Sequence, residues 1–236
     1  MVKKGNPRKS TGIGTLSEGS LHAELKKWVG QAGDLFEAQV GSYTVDVVRG
    51  DLLIEVQTGN FSAMKKKLPQ LLKTYEVLLL HPIAKRKWIV REDESGEWIS
   101  RRKSPKTSLA LELFHELIRI PHLLNHPRLT IGAIMTHENE ILRDDGQGSR
   151  RRKGWSRRDR ELIEVVAEHY FDTAFDYLTL IPDSLVRPFS CKELAKAARI
   201  KLNLARCVTY TLRKAESLEV VGKRGNTRLY DFATED

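Results

Sequence analysis

The sequence of 236 residues predicts an α/β protein in which a mixed β-sheet is flanked by helices, followed by a smaller C-terminal domain. Apolar spacing over residues 16–81 alternates between helical and strand patterns, in the order helix, three strands, helix, strand. A polar, glycine-rich segment then separates this part from helical patterns. The predicted domains are a flexible basic arm at 1–14, a sheet domain at 15–142, a linker or exposed loop at 143–154 and a mainly helical domain at 155–236.

The first predicted elements are one helix and three strands. Leu21, Leu25 and Trp28 recur near helical spacing. Ser17 precedes them as an N-cap, and Gly30 ends the helix. Alternating and β-branched runs joined by tight turns then predict three strands, at 35–40, 43–48 and 52–57.

The middle of the chain completes the predicted sheet. Residues 61–75 form an amphipathic helical pattern that Pro69 should bend, and the apolar run at 76–81 predicts a buried strand. The pattern further predicts a hairpin at 87–101, a helix at 108–120 and a strand or hairpin at 129–142.

The C-terminal part shows mainly helical spacing. It predicts helices at 155–171 and 172–181, then a short helix that begins with the capping box of Ser190 and Glu193. Asn203 should cap a longer helix that ends near Glu216. Two strands follow, at 218–222 and 227–232, around a basic turn. A capped helix, a turn, a second helix and a basic hairpin in one uninterrupted run predict a winged-helix domain.

Charge and composition limit the function. Forty Lys and Arg residues against 31 Asp and Glu give a net charge of +9, which favours a polyanionic partner, although excess charge also serves solubility. No run approaches the roughly 18 apolar residues that a membrane span requires, and two cysteines cannot build a four-ligand zinc site. We therefore expect a cytoplasmic protein without a membrane partner.

Acidic side chains fall at matching places on two neighbouring predicted strands. Asp46 lies on the second strand, and Glu55 lies two residues before Gln57 on the third, so Glu55 and Gln57 share one face. An unpaired carboxylate on an apolar, buried strand is costly, so the position of Glu55 favours a role in a functional site. Two such carboxylates suit Mg²⁺ or Mn²⁺, which prefer oxygen ligands.

This arrangement resembles the PD-(D/E)XK nuclease superfamily and implies its restriction-endonuclease-like core. On that resemblance Glu18, Asp46, Glu55 and Gln57 are the catalytic residues, and Asp46 and Glu55 hold Mg²⁺ or Mn²⁺. Glu24 competes with Glu18 for the helix position, whereas His22 is expected on the helix surface. Gln57 stands where the superfamily commonly has Lys, and a neutral amide cannot supply positive charge. Lys65 or Lys66 from the following helix could supply it instead.

The winged helix should contact DNA. The residues expected at this interface are Arg206, Thr209, Tyr210, Arg213 and Lys214 on the second helix, Lys223, Arg224 and Asn226 at the wing tip, and Arg151 and Arg152 in the basic segment. Together these features predict a metal-dependent DNA endonuclease of restriction, defence or repair type. A homodimer would let one site per chain cut both strands. The alternatives are a non-catalytic winged-helix DNA-binding regulator with a degenerate nuclease-like domain, and an RNA-acting nuclease.

Overall fold

The structure is a computed structural model and describes residues 19–146, 148 and 154–234. The helices are α1 (Ser20–Val29), α2 (Met64–Leu71), α3 (Phe114–Leu117), α4 (Cys191–Ala197) and α5 (Leu202–Lys214). The strands are β1 (Leu35–Val40), β2 (Tyr43–Arg49), β3 (Leu52–Val56), β4 (Glu76–Glu92), β5 (Trp98–Lys103), β6 (Leu129–Asp144), β7 (Trp155–Phe171), β8 (Leu218–Arg224) and β9 (Thr227–Phe232). Short 3₁₀ segments lie at Phe61–Ala63, Ala110–Leu113, Pro121–Leu123 and Asp176–Leu180.

Seven strands form one mixed sheet. Their order is β1-β2-β3-β4-β6-β7, and β5 pairs with the second half of β4. The β3–β4 and β4–β6 pairs are parallel, whereas the other neighbours are antiparallel. The parallel β3–β4 pair requires a crossover, which α2 provides. The predicted α/β class, with a large mixed sheet flanked by helices, is confirmed.

Two hydrophobic clusters hold the helices against the sheet. Leu21 and Leu25 of α1 pack with Ile54 of β3 and Ile134 of β6. A larger cluster joins the remaining helices to the sheet and also contains Leu212 of α5. The C-terminal helices therefore share a core with the sheet.

Residues 155–171 form strand β7, so the helix predicted there is wrong. The segment pairs with β6 from Asp144↔Trp155 to Ile131↔Phe171, which carries the sheet past the predicted linker at 143–154. Its Glu, Leu and Ala residues favour a helix locally. Pairing along the open side of β6 overrides that preference, because strand propensity depends on the partner strand.

Several smaller expectations also change. The buried strand at 76–81 and the first arm of the hairpin are one continuous strand, β4. The helix predicted at 108–120 is reduced to a 3₁₀ turn followed by the four residues of α3, and the helix at 172–181 to the 3₁₀ turn Asp176–Leu180. Lys201, not Asn203, is the N-cap of α5. The capping box of Ser190 and Glu193 is confirmed.

Some predicted features lie outside the described residues. These include the basic arm at 1–14 and residues 149–153 of the predicted linker. Helix α1 begins at Ser20 with Gly19 as its N-cap, and the cap predicted at Ser17 lies outside the described residues. None of the helices in the described part of the chain is long and apolar enough to cross a membrane.

Candidate active site

Asp46 and Glu55 lie where β2 and β3 stop pairing. The antiparallel register ends at Val47↔Ile54, and Asp46 and Glu55 are the next residues on the two strands, close enough for the Asp46 charge to act on Glu55. The Val56 amide then donates to Asp46 Oδ2 at 2.8 Å, which replaces a ladder hydrogen bond with one to the carboxylate. The two acids predicted from the sequence are thus brought to one place by adjacent strands.

His22 of α1 contacts the first of these acids. Its Nε2 lies 3.1 Å from Asp46 Oδ2, and both side chains are largely buried. Burial opposes ionisation of Asp46, but hydrogen bonds from His22 and the Val56 amide outweigh it and hold the pKa below its usual value. The expectation that His22 is a surface histidine is therefore wrong. Helical spacing alone could have placed it near the buried face, since it follows Leu21.

Glu55 is paired with a lysine that the sequence analysis did not select. The carboxylate is 4% exposed, and the Lys67 ammonium of α2 lies 2.6 Å from its Oε1. Lys67 also donates to the Thr44 carbonyl oxygen at 2.6 Å. Neither Lys65 nor Lys66 takes this place, because both side chains are exposed. Burial raises the pKa of Glu55 to about 7, against the opposing effect of Lys67.

The raised pKa of Glu55 predicts a pH-dependent stability. Between the ordinary value of 4.5 and about 7, the folded protein binds the Glu55 proton more tightly than the unfolded chain does, so the free energy of unfolding falls as pH rises. Glu55→Gln should remove this fall, making the variant more stable than the wild type above pH 7 by up to about 3 kcal/mol. Urea unfolding of both proteins in EDTA, between pH 4.5 and above pH 7, measures this difference in the free energy of unfolding.

Asp46→Asn is the matched control for this measurement. The pKa of Asp46 is lowered, so its contribution is present above the unfolded pKa and is lost as pH falls. The variant should therefore be less stable than the wild type at neutral pH, opposite in sign to Glu55→Gln. If the free energy of unfolding changes with pH in the same way for Glu55→Gln and the wild type between pH 4.5 and about 7, the raised pKa of Glu55 is contradicted.

The Gln57 side chain is bonded within the loop that follows β3. Its side-chain amide donates to the Gly59 carbonyl oxygen within the same loop. Its backbone N–H donates to the Leu80 carbonyl oxygen at 2.8 Å, and its own carbonyl oxygen lies 2.7 Å from His81 Nδ1. These contacts fix the end of β3 beside β4. The structure therefore gives Gln57 a positioning contact at the strand end.

The Asp46 and Glu55 carboxylates could supply only part of the ligands of a divalent ion, and the remaining ligands would have to be waters or phosphate oxygens. Among residues 19–146, 148 and 154–234, no group of three or more His, Cys, Asp and Glu side chains is arranged to hold a metal. Glu18, the third predicted acid, lies outside this part of the chain. Glu55 Oε1 is buried and has an ion pair but no hydrogen bond of regular geometry. Two carboxylates fit Mg²⁺, which keeps several waters and takes further ligands from a phosphate.

The residues predicted to contact DNA divide into exposed and buried groups. On α5, Arg206, Tyr210 and Lys214 are exposed at spacings of four residues, which places them on one helix face, and Arg213 is half-buried. Thr209 is 2% exposed and contacts Cys191 Sγ at 3.2 Å, so its predicted role in DNA contact is wrong.

The β8–β9 turn presents the other predicted contacts. Lys223, Arg224 and Asn226 are exposed, and Arg224 forms a 2.8 Å ion pair with Glu193 of α4. Arg151 and Arg152 lie outside the described residues.

The fold and the acid pair define an α/β protein with a mixed sheet and a polar site formed by Asp46 of β2 and Glu55 of β3. The chain belongs to the family described as Domain of unknown function (DUF8091), whose model matches residues 19–172. This range includes the whole seven-stranded sheet and the Asp46 site, whereas α4 to β9 follow it. The chain is also similar to an uncharacterized protein of Treponema pallidum (strain Nichols), with 30% identity over 219 residues, 92% of this chain and 86% of the relative. No solved structure matches the chain.

Proposed function

We propose that the chain is a metal-dependent nuclease that hydrolyses DNA phosphodiester bonds, with a restriction-endonuclease-like core. One observation carries the proposal. Asp46 and Glu55 meet on adjacent antiparallel strands, and Lys67 lies beside Glu55 at 2.6 Å, within the element order α1-β1-β2-β3-α2-β4. This supplies the acid pair and the cation of the PD-(D/E)XK pattern, with the cation on α2 instead of at Gln57.

The residues around the acids have separate tasks. His22 and the Val56 amide keep Asp46 ionised, as a ligand for a hard cation must be. When bound by Asp46 and Glu55, Mg²⁺ or Mn²⁺ supplies charge neutralisation at the phosphate and lowers the pKa of water. Lys67 fixes the orientation of Glu55 and provides a fixed positive charge where the phosphate oxygens gain negative charge.

The C-terminal segment supports a winged-helix DNA-binding role. Helices α4 and α5 are followed by the β8–β9 hairpin, and Phe189 pairs with Tyr230 of β9 through two backbone hydrogen bonds of 2.9 and 2.7 Å. Phe189 thus adds a short third strand segment to the hairpin. The exposed face of α5 would enter the major groove while the wing residues contact phosphates.

Cleavage of labelled duplex DNA by the purified chain tests the proposed activity. With Mg²⁺ or Mn²⁺, Asp46→Asn and Glu55→Gln should each reduce the cleavage rate by at least about 100-fold, because each removes a charged ligand. Glu76→Gln, at an exposed carboxylate that begins β4, is the matched control and should leave the rate unchanged. Equal cleavage by all four proteins would overturn the proposal.

The same preparation separates the two alternative functions. The neutral Gln57 side chain, bound to Gly59, favours a non-catalytic DNA-binding regulator. Metal-independent gel shifts without any cleavage would support that function. Faster cleavage of RNA than of DNA would make the chain an RNA-acting nuclease.

A further inference from the structure

Three cavities share charged lining residues and run from the C-terminal helices towards the candidate active site. The first, about 280 Å³, lies between Lys106 and the α4–α5 turn with Arg199 and Lys201. Lys106 also lines the second, of about 220 Å³. Arg157 and Arg160 line both the second and the third, of about 190 Å³. The three cavities therefore lie next to one another in this spatial order.

The third cavity ends at His22, which contacts Asp46. It is lined by His22, whose Nε2 is 3.1 Å from Asp46, and by Thr58, which follows Gln57 in the loop after β3. A chain molecule lying in the cavities would thus reach His22, one side chain away from Asp46.

The cavity walls carry an excess of positive charge. Seven Lys and Arg residues line the three cavities against four Asp and Glu residues. Three of the four acids are ion-paired with cavity cations: Glu138 with Arg160, Glu140 with Arg157 and Lys87, and Glu112 with Lys106 at 3.3 Å. Glu138 and Glu140 are buried and accept from Arg160 at 2.8 and 3.0 Å and from Arg157 at 3.0 Å, so they hold the two guanidinium groups in place. Each guanidinium has five N–H groups, and the remaining ones are available to a ligand.

The occupant suggested by this shape and charge is a polyanionic chain. Each cavity is smaller than the roughly 300–1,000 Å³ that takes a whole drug-sized ligand, so each fits about one unit of a chain. Fixed guanidinium groups at successive places match repeated phosphates. A base-paired duplex cannot enter pockets of this size, whereas one unpaired strand can.

We propose that a single strand of nucleic acid lies along the basic channel, defined by Lys87, Lys106, Arg157, Arg160, Arg199 and Lys201, and is delivered to the Asp46 site. The inference deepens the proposed nuclease function and rests on it for the role of that site. The substrate would then combine duplex, bound by α5 and the wing, with an unpaired strand in the channel.

Fluorescence anisotropy in EDTA tests the channel without cleavage. The probes are labelled oligodeoxythymidylate, an oligouridylate of equal length and a blunt DNA duplex. Lys106→Gln with Lys201→Gln removes two exposed channel cations and leaves the buried ion pairs intact. We expect single-strand affinity to fall about 20-fold at 0.1 M salt and the salt slope to become shallower by about 1.4. Duplex affinity should change much less.

Lys27→Gln with Lys73→Gln is the matched control. Both lysines are exposed, line none of the three cavities and carry the same total charge. The control should bind the single strands as the wild type does. Equal losses in both double variants, no loss in either, or parallel losses for strand and duplex would overturn the channel. The ratio of oligodeoxythymidylate to oligouridylate affinity identifies which nucleic acid it prefers.

The outcome is separable from that of the cleavage assay. If the protein binds single strands through Lys106 and Lys201 but never cleaves DNA, the channel is supported and the nuclease proposal is rejected. If cleavage depends on Asp46 but single-strand binding is unchanged by Lys106→Gln with Lys201→Gln, the nuclease proposal is supported and the channel is rejected.

Discussion

Replacing Lys67 by methionine is expected to reduce metal-dependent cleavage by at least about 100-fold while DNA affinity in EDTA stays unchanged. Loss of one fixed group that stabilises developing charge typically costs 10²–10³-fold in rate. Lys67 is the cation beside Glu55, at 2.6 Å, and methionine keeps the length of its stem without the charge. The measurement is the cleavage rate at saturating DNA, with anisotropy reporting binding.

Lys65→Met and Lys66→Met are the controls on the same helix. Both side chains are exposed, so these variants should cleave at the wild-type rate. A second variant separates chemistry from stability: Gln57→Lys in the Lys67→Met background returns the cation to the position that is usual in the superfamily and should restore part of the rate. A wild-type cleavage rate for Lys67→Met, or equal losses in rate for all three lysine variants, would contradict a specific role for Lys67 in the site.

Arg160→Met should destabilise the fold strongly. It leaves Glu138, 1% exposed, without the guanidinium that donates to both of its oxygens. Breaking a buried pair by removing one partner costs about 3–5 kcal/mol, and the lower end applies because the Arg160 side chain is 26% exposed. Urea unfolding of both proteins at neutral pH gives the difference.

Two further variants show whether the cause is the orphaned carboxylate. Arg160→Met combined with Glu138→Met removes both charges and should recover most of the lost stability. Arg224→Met breaks an exposed pair with Glu193 and should cost no more than about 1 kcal/mol. Equal losses in the free energy of unfolding for Arg160→Met and Arg224→Met would contradict the expected cost of leaving Glu138 buried and unpaired.

The sheet core and the acid pair could be predicted because their signals are local. The strands of residues 35–56 alternate or are β-branched and are joined by two short turns, so pattern and register follow from neighbouring residues. The capping box of Ser190 and Glu193 is local in the same way. Asp46 and Glu55 stand out because acids are uncommon on such strands.

The partners of those acids could not be predicted with the same accuracy. Lys65, Lys66 and Lys67 are adjacent and chemically identical, so only the exact rotation of α2 selects Lys67 for Glu55. His22 reaches Asp46 because α1 packs with Ile54 and Ile134. Thr209 is buried because of its place in α5 beside Cys191 of α4, which composition does not reveal.

The sequence by itself determined the order of the first six elements, the acids Asp46 on β2 and Glu55 on β3, and the cap of α4. The tertiary structure decided that residues 155–171 are a strand, that Lys67 is the lysine at Glu55, and that Arg157 and Arg160 line cavities leading to His22. The physical reason is the range of the interactions. Turns, caps and side-chain alternation act between near neighbours, whereas β7 gains its stability from β6 and the arginines are held by Glu138 and Glu140 on that strand.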